Sequence, residues 1–108
     1  MRTIAAISTP RGKGGVSLIR ISGDEAIRIA EKVTSRTLAD VSPNKTVHTL
    51  FVRDGKPFDD GMATVFFGPR SFTGEDTVEL CCHGGLFVTQ KLLATVYEAG
   101  AYPAGPGE

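Results

Sequence analysis

Two charged side chains stand where chains of this kind normally place apolar ones. Glu79 interrupts Val78-Glu-Leu80, inside the run Ser71-Phe-Thr-Gly-Glu-Asp-Thr-Val-Glu-Leu-Cys-Cys-His-Gly-Gly85, and Arg20 interrupts Leu18-Ile-Arg-Ile21. Side chains alternate along a strand, so Val78, Leu80 and Cys82 share one face while Thr77, Glu79, Cys81 and His83 share the other. A carboxylate in such a setting must meet a cation, a set of N–H donors or a ligand, because leaving it buried and unpaired costs several kcal/mol or more. Two opposite charges in two strand centres suggest one shared place. They either pair with each other or lie on an exposed sheet face, or they form a polar site. In that site Glu79 accepts two parallel N–H donors from a planar heterocycle, and Arg20 holds an anionic or carbonyl group.

The remaining reactive types carry weaker signals. The only cysteines are the neighbours Cys81 and Cys82. Their side chains point to opposite faces, which excludes a disulfide framework. Cys81 and His83 share a face, but a zinc site needs two further ligands and the only other imidazole is His48, so the thiols read as small apolar filling and no metal is expected. His83 as a general base would need a substrate proton and an orienting partner; the plainer expectation is an imidazole bonded to the neighbouring loop. Ser71, Thr73, Glu75 and Asp76 are turn or cap types. Gly84-Gly85 permits a sharp turn or a close ligand approach at a helix start. Arg11-Gly-Lys-Gly-Gly15 could cradle a phosphate, but a P-loop runs from strand to helix and here a strand follows, so a hairpin loop that closes over a ligand or meets a partner is expected.

The elements that must position these residues are legible from period and punctuation. Thr3 to Ser8 and Val16 to Ile21 read as two strands of a hairpin. Ser22-Gly-Asp-Glu25 has the spacing of a capping box, predicting a helix from about Gly23 to Val33 with Ala26, Ile29, Ala30 and Val33 buried. Thr34 to Lys45 is a connection. Thr46 to Arg53, a turn at Asp54-Gly55 and a returning strand from Met62 to Phe67 form the clearest hairpin. After Gly85 a second helix is expected to run to Ala99, with Val88, Leu92, Leu93 and Val96 on one face and Gly100 as its C-terminal cap. The last eight residues, rich in proline and glycine, are expected to form no packed element. Strands and helices mix without strict alternation, which predicts an α+β fold: a mixed β-sheet with two or so packed helices.

With 108 residues the chain is one domain at most, and twelve basic side chains balance twelve acidic ones. That balance lacks the basic footprint of a stand-alone nucleic-acid binder, so any RNA contact must be local or shared. The N-terminus lacks the pattern of a signal peptide and no segment reaches the roughly 20 apolar residues of a membrane span, so a cytoplasmic chain without membrane contact is expected.

Several motifs occur together and in order: Thr3-Ile-Ala-Ala-Ile-Ser-Thr-Pro-Arg-Gly12, Ile19-Arg-Ile-Ser-Gly23, Gly68-Pro-Arg-Ser-Phe-Thr-Gly-Glu-Asp76, Val78-Glu-Leu80, His83-Gly-Gly85 and Pro106-Gly-Glu108. In these the chain resembles the N-terminal domain of the tRNA-modification GTPase family MnmE, also called TrmE. The resemblance implies a domain, here residues 1–108, that binds a tetrahydrofolate derivative of the 5-formyl or 5,10-methylene type and forms a homodimer. It implies a fold similar to the folate-binding domains of the glycine-cleavage T-protein group, and Arg20 and Glu79 as cofactor-binding residues. The whole enzyme would act with the flavoprotein MnmG on the wobble uridine of tRNA, installing an aminomethyl or carboxymethylaminomethyl group. In the family Pro-Gly-Glu continues into a further segment that also lines the folate site. The helical and GTPase domains, with GTP, Mg²⁺ and K⁺, are likewise not in this sequence. The chain is therefore expected to be a fragment that hydrolyses nothing and has no catalytic residue of its own. A ligand-free dimerisation or protein-docking module, with Arg20 and Glu79 as a structural ion pair, is the alternative. Direct tRNA contact through Arg11, Lys13 and Arg70 is a third expectation.

Overall fold

The computed structural model describes residues 2–8, 16–68, 74–83 and 85–105. The expected loop 10–15 and its cations, Arg70, Ser71, Thr73, Gly84 and the closing Pro106-Gly-Glu motif lie outside these residues. The elements run β1 (Ile4–Ile7), β2 (Ser17–Ser22), α1 (Ala26–Val33), β3 (Thr46–Arg53), β4 (Lys56–Phe66), β5 (Thr77–Cys82), α2 (Gly85–Glu98) and β6 (Tyr102–Pro103). The strands form one sheet in the order β3-β4-β5-β2-β1-β6. Every pairing is antiparallel except β1 with β6, so the sheet is mixed. The fold is α+β with two helices, as the sequence predicts.

Alternation decides which face is the core. Ile19, Ile21, Ala63, Val65, Val78 and Leu80 are fully buried together with Ile29 of α1 and Leu92 and Val96 of α2. The α1 stripe is Ala26, Ile29, Ala30 and Val33, as its spacing requires. The buried face of α2 differs from expectation: Thr89 and Thr95 are buried beside Leu92 and Val96, while Val88 and Leu93 are half-buried. The threonine hydroxyls donate to the carbonyl oxygens of Gly85 and Lys91, each at 2.7 Å. That satisfies the polar atom within the helix, so a threonine can be covered like an apolar residue.

Three further expectations are corrected. The capping box does not form: Ser22 is the last residue of β2, α1 begins at Ala26, and its N-cap Glu25 makes no side-chain cap bond. The Glu25 N–H donates instead to the Thr3 hydroxyl at 3.0 Å, so a residue distant in sequence satisfies the helix start. The returning hairpin strand starts at Lys56 rather than Met62. Asp54 and Gly55 both take positive φ, 52° and 77°, which makes the turn tight. Phe51 pairs with Asp59 but Val52 with Pro57, so Phe58 is bulged out, and Pro57 lies where β4 has only β3 beside it. Finally, the described part of the tail, residues 101–105, does pack. After Gly100, at φ 128°, closes α2, the Tyr102 N–H donates to the Thr3 carbonyl and the Ala104 N–H to the Ala5 carbonyl, adding β6 to the edge. No helix among the described residues is long and apolar enough to cross a membrane.

Gly61 lies where β4 passes between β3 and β5. A Cβ there would fall 1.9 Å from the Cys81 carbonyl oxygen and 2.9 Å from Cε2 of Phe51. Gly61→Ala is expected to destabilise the fold by about 2 to 4 kcal/mol through forced backbone displacement. Gly55→Ala, with open space around it, should cost only about 1 kcal/mol from its positive φ. Urea unfolding midpoints of the two variants measure the contrast.

Candidate ligand site on the open sheet face

The strand face opposite the helices carries three cross-strand rows. The central one runs Ala6, Arg20, Glu79, Thr64, Thr46; it is flanked by Leu18, Cys81, Met62, His48 and by Ile4, Ser22, Thr77, Phe66. Arg20 and Glu79 are thus directly opposed on β2 and β5. Nε and Nη2 of Arg20 both donate to Glu79 Oε2, at 3.0 and 2.6 Å. The Arg20 side chain is 36% exposed and that of Glu79 is 16% exposed. The two residues singled out by type and spacing are therefore brought together, and they form an ion pair. Glu79 Oε1 accepts no hydrogen bond among the described residues and is not a buried unsatisfied atom, so this oxygen is open to the face.

Beside the guanidinium is a depression of about 130 Å³ lined by Ile4, Ala5, Ala6, Ser8, Arg20, Ser22 and Ala104. Its walls are mainly apolar, with the Arg20 cation and the Ser22 hydroxyl from β2 and the Ser8 hydroxyl from just past the end of β1. On the far side of Ser22 the residues just before β5 are tied down. Ser22 Oγ lies 3.4 Å from Glu75 Oε2 and 3.4 Å from Thr77 Oγ1, and Asp76 Oδ1 accepts the Gly68 N–H at 3.0 Å. Glu75 and Asp76 therefore bind neighbouring strand ends, Ser22 of β2 and Gly68 after β4, as turn and cap types do. Along the central row Thr46 and Thr64 share a hydroxyl bond at 2.8 Å.

The other candidates contribute less. Burial, and then the Glu79 charge, push the Cys81 thiol up; burial also pushes Cys82 up, against a bond to Thr89. Both thiols are thereby kept from the thiolate form that reacts or binds metal. Among the described residues no group of three or more His, Cys, Asp or Glu is placed to hold a metal ion. His83 is exposed, and its backbone N–H rather than its ring bonds the neighbouring strand, donating to Asp59 Oδ2 at 3.3 Å. His48 Nε2 lies 2.8 Å from Asp60 Oδ2 at the exposed end of the face, and this bond holds the Asp60 carboxyl below its usual range.

The family described as GTP-binding protein TrmE N-terminus matches residues 3–108 of this chain. The chain belongs to that family. It is similar to proteins described as tRNA modification GTPase MnmE. That of Lactobacillus acidophilus is 48% identical over 110 residues, which cover 98% of this chain and 24% of the relative. That of Protochlamydia amoebophila is 45% identical over 108 residues, covering 98% and 23%, and that of Chlamydia abortus 47% over 107 residues, covering 98% and 24%. The chain spans about a quarter of the length of these TrmE-family relatives.

Of the site only Arg20 and Glu79 were foreseen, and two of the other members show why. Ala104 reaches it only because the tail pairs with β1, and a two-residue strand leaves no period to read. Thr64 joins the central row through the β4–β5 register, which the sequence hints at only through the alternation of Met62 to Phe66.

The ion pair yields a measurable coupling. In urea unfolding, Arg20→Ala together with Glu79→Ala is expected to cost less than the sum of the single substitutions, by about 0.5 to 2 kcal/mol. Strict additivity would show that the two charges do not interact in solution.

Proposed function

We propose that this chain is the folate-binding and self-association unit of a GTPase that modifies tRNA, with Arg20 and Glu79 holding the head of a tetrahydrofolate derivative. The observation that carries the reading is an accessible Arg–Glu pair at the centre of a helix-free sheet face, beside an apolar-walled depression. A pterin presents a ring amide N–H and an exocyclic amine side by side, and Glu79 can accept both once it turns from Arg20. Arg20 then serves a carbonyl or anionic group of the same ligand. Whole-ligand pockets span roughly 300–1,000 Å³. A depression of about 130 Å³ suits a ring, so the rest of the molecule must be met by other segments or a second copy of the chain.

When bound, the folate supplies a one-carbon unit. In the proposed assembly this serves modification of the wobble uridine of tRNA together with the flavoprotein MnmG, and GTP hydrolysis with Mg²⁺ and K⁺ belongs to segments outside this sequence. The setting is supported by the names of the relatives, which describe tRNA modification GTPases.

The mutual satisfaction of Arg20 and Glu79 favours a second reading, in which the pair is purely structural and the sheet serves self-association or docking. Thermal unfolding with 5-formyltetrahydrofolate separates the two. At about ten times its Kd a ligand adds roughly 1.4 kcal/mol, a rise of several degrees for a domain of this size. That rise is expected for the wild type and should vanish in Glu79→Gln. A wild-type midpoint unmoved by saturating ligand, in this chain and in one extended by the next segment of its relatives, would reject folate binding. Sedimentation showing a dimer indifferent to folate would then favour the structural reading.

A further inference from the structure

A second concave site lies away from the Arg20–Glu79 pair, where the end of the β3–β4 hairpin meets α2. It is a depression of about 400 Å³ lined by Arg53, Asp54, Lys56, Pro57, Phe58 and Lys91, and it shares no residue with the first site. Three of its six lining side chains are cations and one is an acid. The hairpin geometry assembles them: the Phe58 bulge sets the ring against α2, and Lys91 Nζ sits 4.9 Å from the ring centroid. A cation over an aromatic face is held in place without being neutralised. Arg53 is anchored by Glu98 through Nη2, which leaves further guanidinium N–H groups to donate. Among the described residues neither Lys56 nor Lys91 is in an ion pair with a carboxylate.

We propose that this depression binds a phosphate group. A carboxylate has two oxygens and is served by a single guanidinium fork, but Arg53 already gives part of its fork to Glu98. A phosphate offers more acceptors in a tetrahedral arrangement, matching donors that converge from separate elements: one held guanidinium and two ammonium groups. The charge balance of the whole chain, zero at neutral pH, makes this a local feature of one cleft rather than a general basic surface. The phosphate can be a monoester or the diester of an RNA backbone, and the same cleft chemistry serves both.

The test uses the chain as it stands, with two probes: inorganic phosphate followed by amide chemical shifts, and a short single-stranded RNA followed by fluorescence anisotropy between about 50 and 200 mM salt. Shifts centred on Lys56, Phe58 and Lys91 are expected on adding phosphate. In Lys56→Ala with Lys91→Gln, which keeps the methylene stem on Phe58, these shifts should disappear while any folate response stays unchanged and the thermal midpoint falls by only a few degrees, from loss of the contact with the ring. If RNA is the source, the slope of log K against log salt should fall by about 1.4 in that double variant, roughly 0.7 for each lost contact. It should be unaltered by Arg11→Ala with Lys13→Ala. Phosphate binding without RNA binding assigns the cleft to a free phosphate or monoester, and RNA binding lost in the double variant assigns it to the diester. Binding of neither probe, or binding of both that survives the double variant, overturns the proposal. Equal competition by a polyglutamate peptide overturns it too, since the cleft would then not distinguish phosphate from any anion.

Discussion

The register between β2 and β5 is the constraint on which the rest of the sheet depends, and Arg20 opposite Glu79 fixes it. A slip of one residue on either strand would send its charge to the face of Ile19, Ile21, Val78 and Leu80, all fully buried. No partner waits there, and a buried unpaired charge costs several kcal/mol. The pair need not be strong to have this effect. With a third of the guanidinium exposed, its net contribution to stability is on the order of 1 kcal/mol or less. Its influence lies in what the wrong registers would cost, and because β2 and β5 lie at the centre of the strand order, the same register aligns Ala6 on one side and Thr64 and Thr46 on the other.

The edge of the sheet is secured differently, through one residue. Thr3 accepts the Glu25 N–H on its hydroxyl and the Tyr102 N–H on its carbonyl, and its Cα stands where a Cβ on Gly23 would be only 2.7 Å away. The start of α1, the flank of β1 and the tail strand therefore meet at a single point. Gly23, at φ 141°, supplies both the backbone conformation and the close approach that this crowding requires. Since β1 and Ala104 both wall the depression beside Arg20, this junction also holds the site in shape.

What the sequence revealed follows the reach of each signal. The alternation in β5, the α1 stripe and the Asp54-Gly55 turn arise from contacts every few residues, and each matches the structure. The opposed charges were legible because a polar residue inside an apolar run is conspicuous whatever it pairs with. Ser22 and Glu25 have capping-box spacing, yet Ser22 extends β2 and its hydroxyl faces Glu75 and Thr77, so a nonlocal sheet contact displaced a local one. The Phe58 bulge and the pairing of β6 are settled wholly by neighbouring strands, and the burial of Thr89 and Thr95 depends on hydroxyls satisfied inside the helix; no hydrophobic period records any of these.

The surroundings of the ion pair bear on how a ligand would be chosen. Ala6, Leu18, Met62, Phe66 and Cys81 share its face with Thr64, Ser22 and Thr77, so the charges sit at half-burial in a frame of apolar and hydroxyl side chains that, among the described residues, holds no other charge beside them. Hydrogen bonds to a carboxylate strengthen as water is excluded, and so does the penalty for leaving either partner unmet. A ligand that draws Glu79 away without offering Arg20 an acceptor breaks two charged hydrogen bonds, and one that draws Arg20 away without offering Glu79 donors does the same, which cancels much of the gain. Only a molecule with a donor edge for the carboxylate and an acceptor for the guanidinium replaces the existing pair without loss. On the folate reading, selectivity therefore arises from the need to exchange one complete ion pair for two complete contacts, and the pair seen here is the state from which that exchange begins.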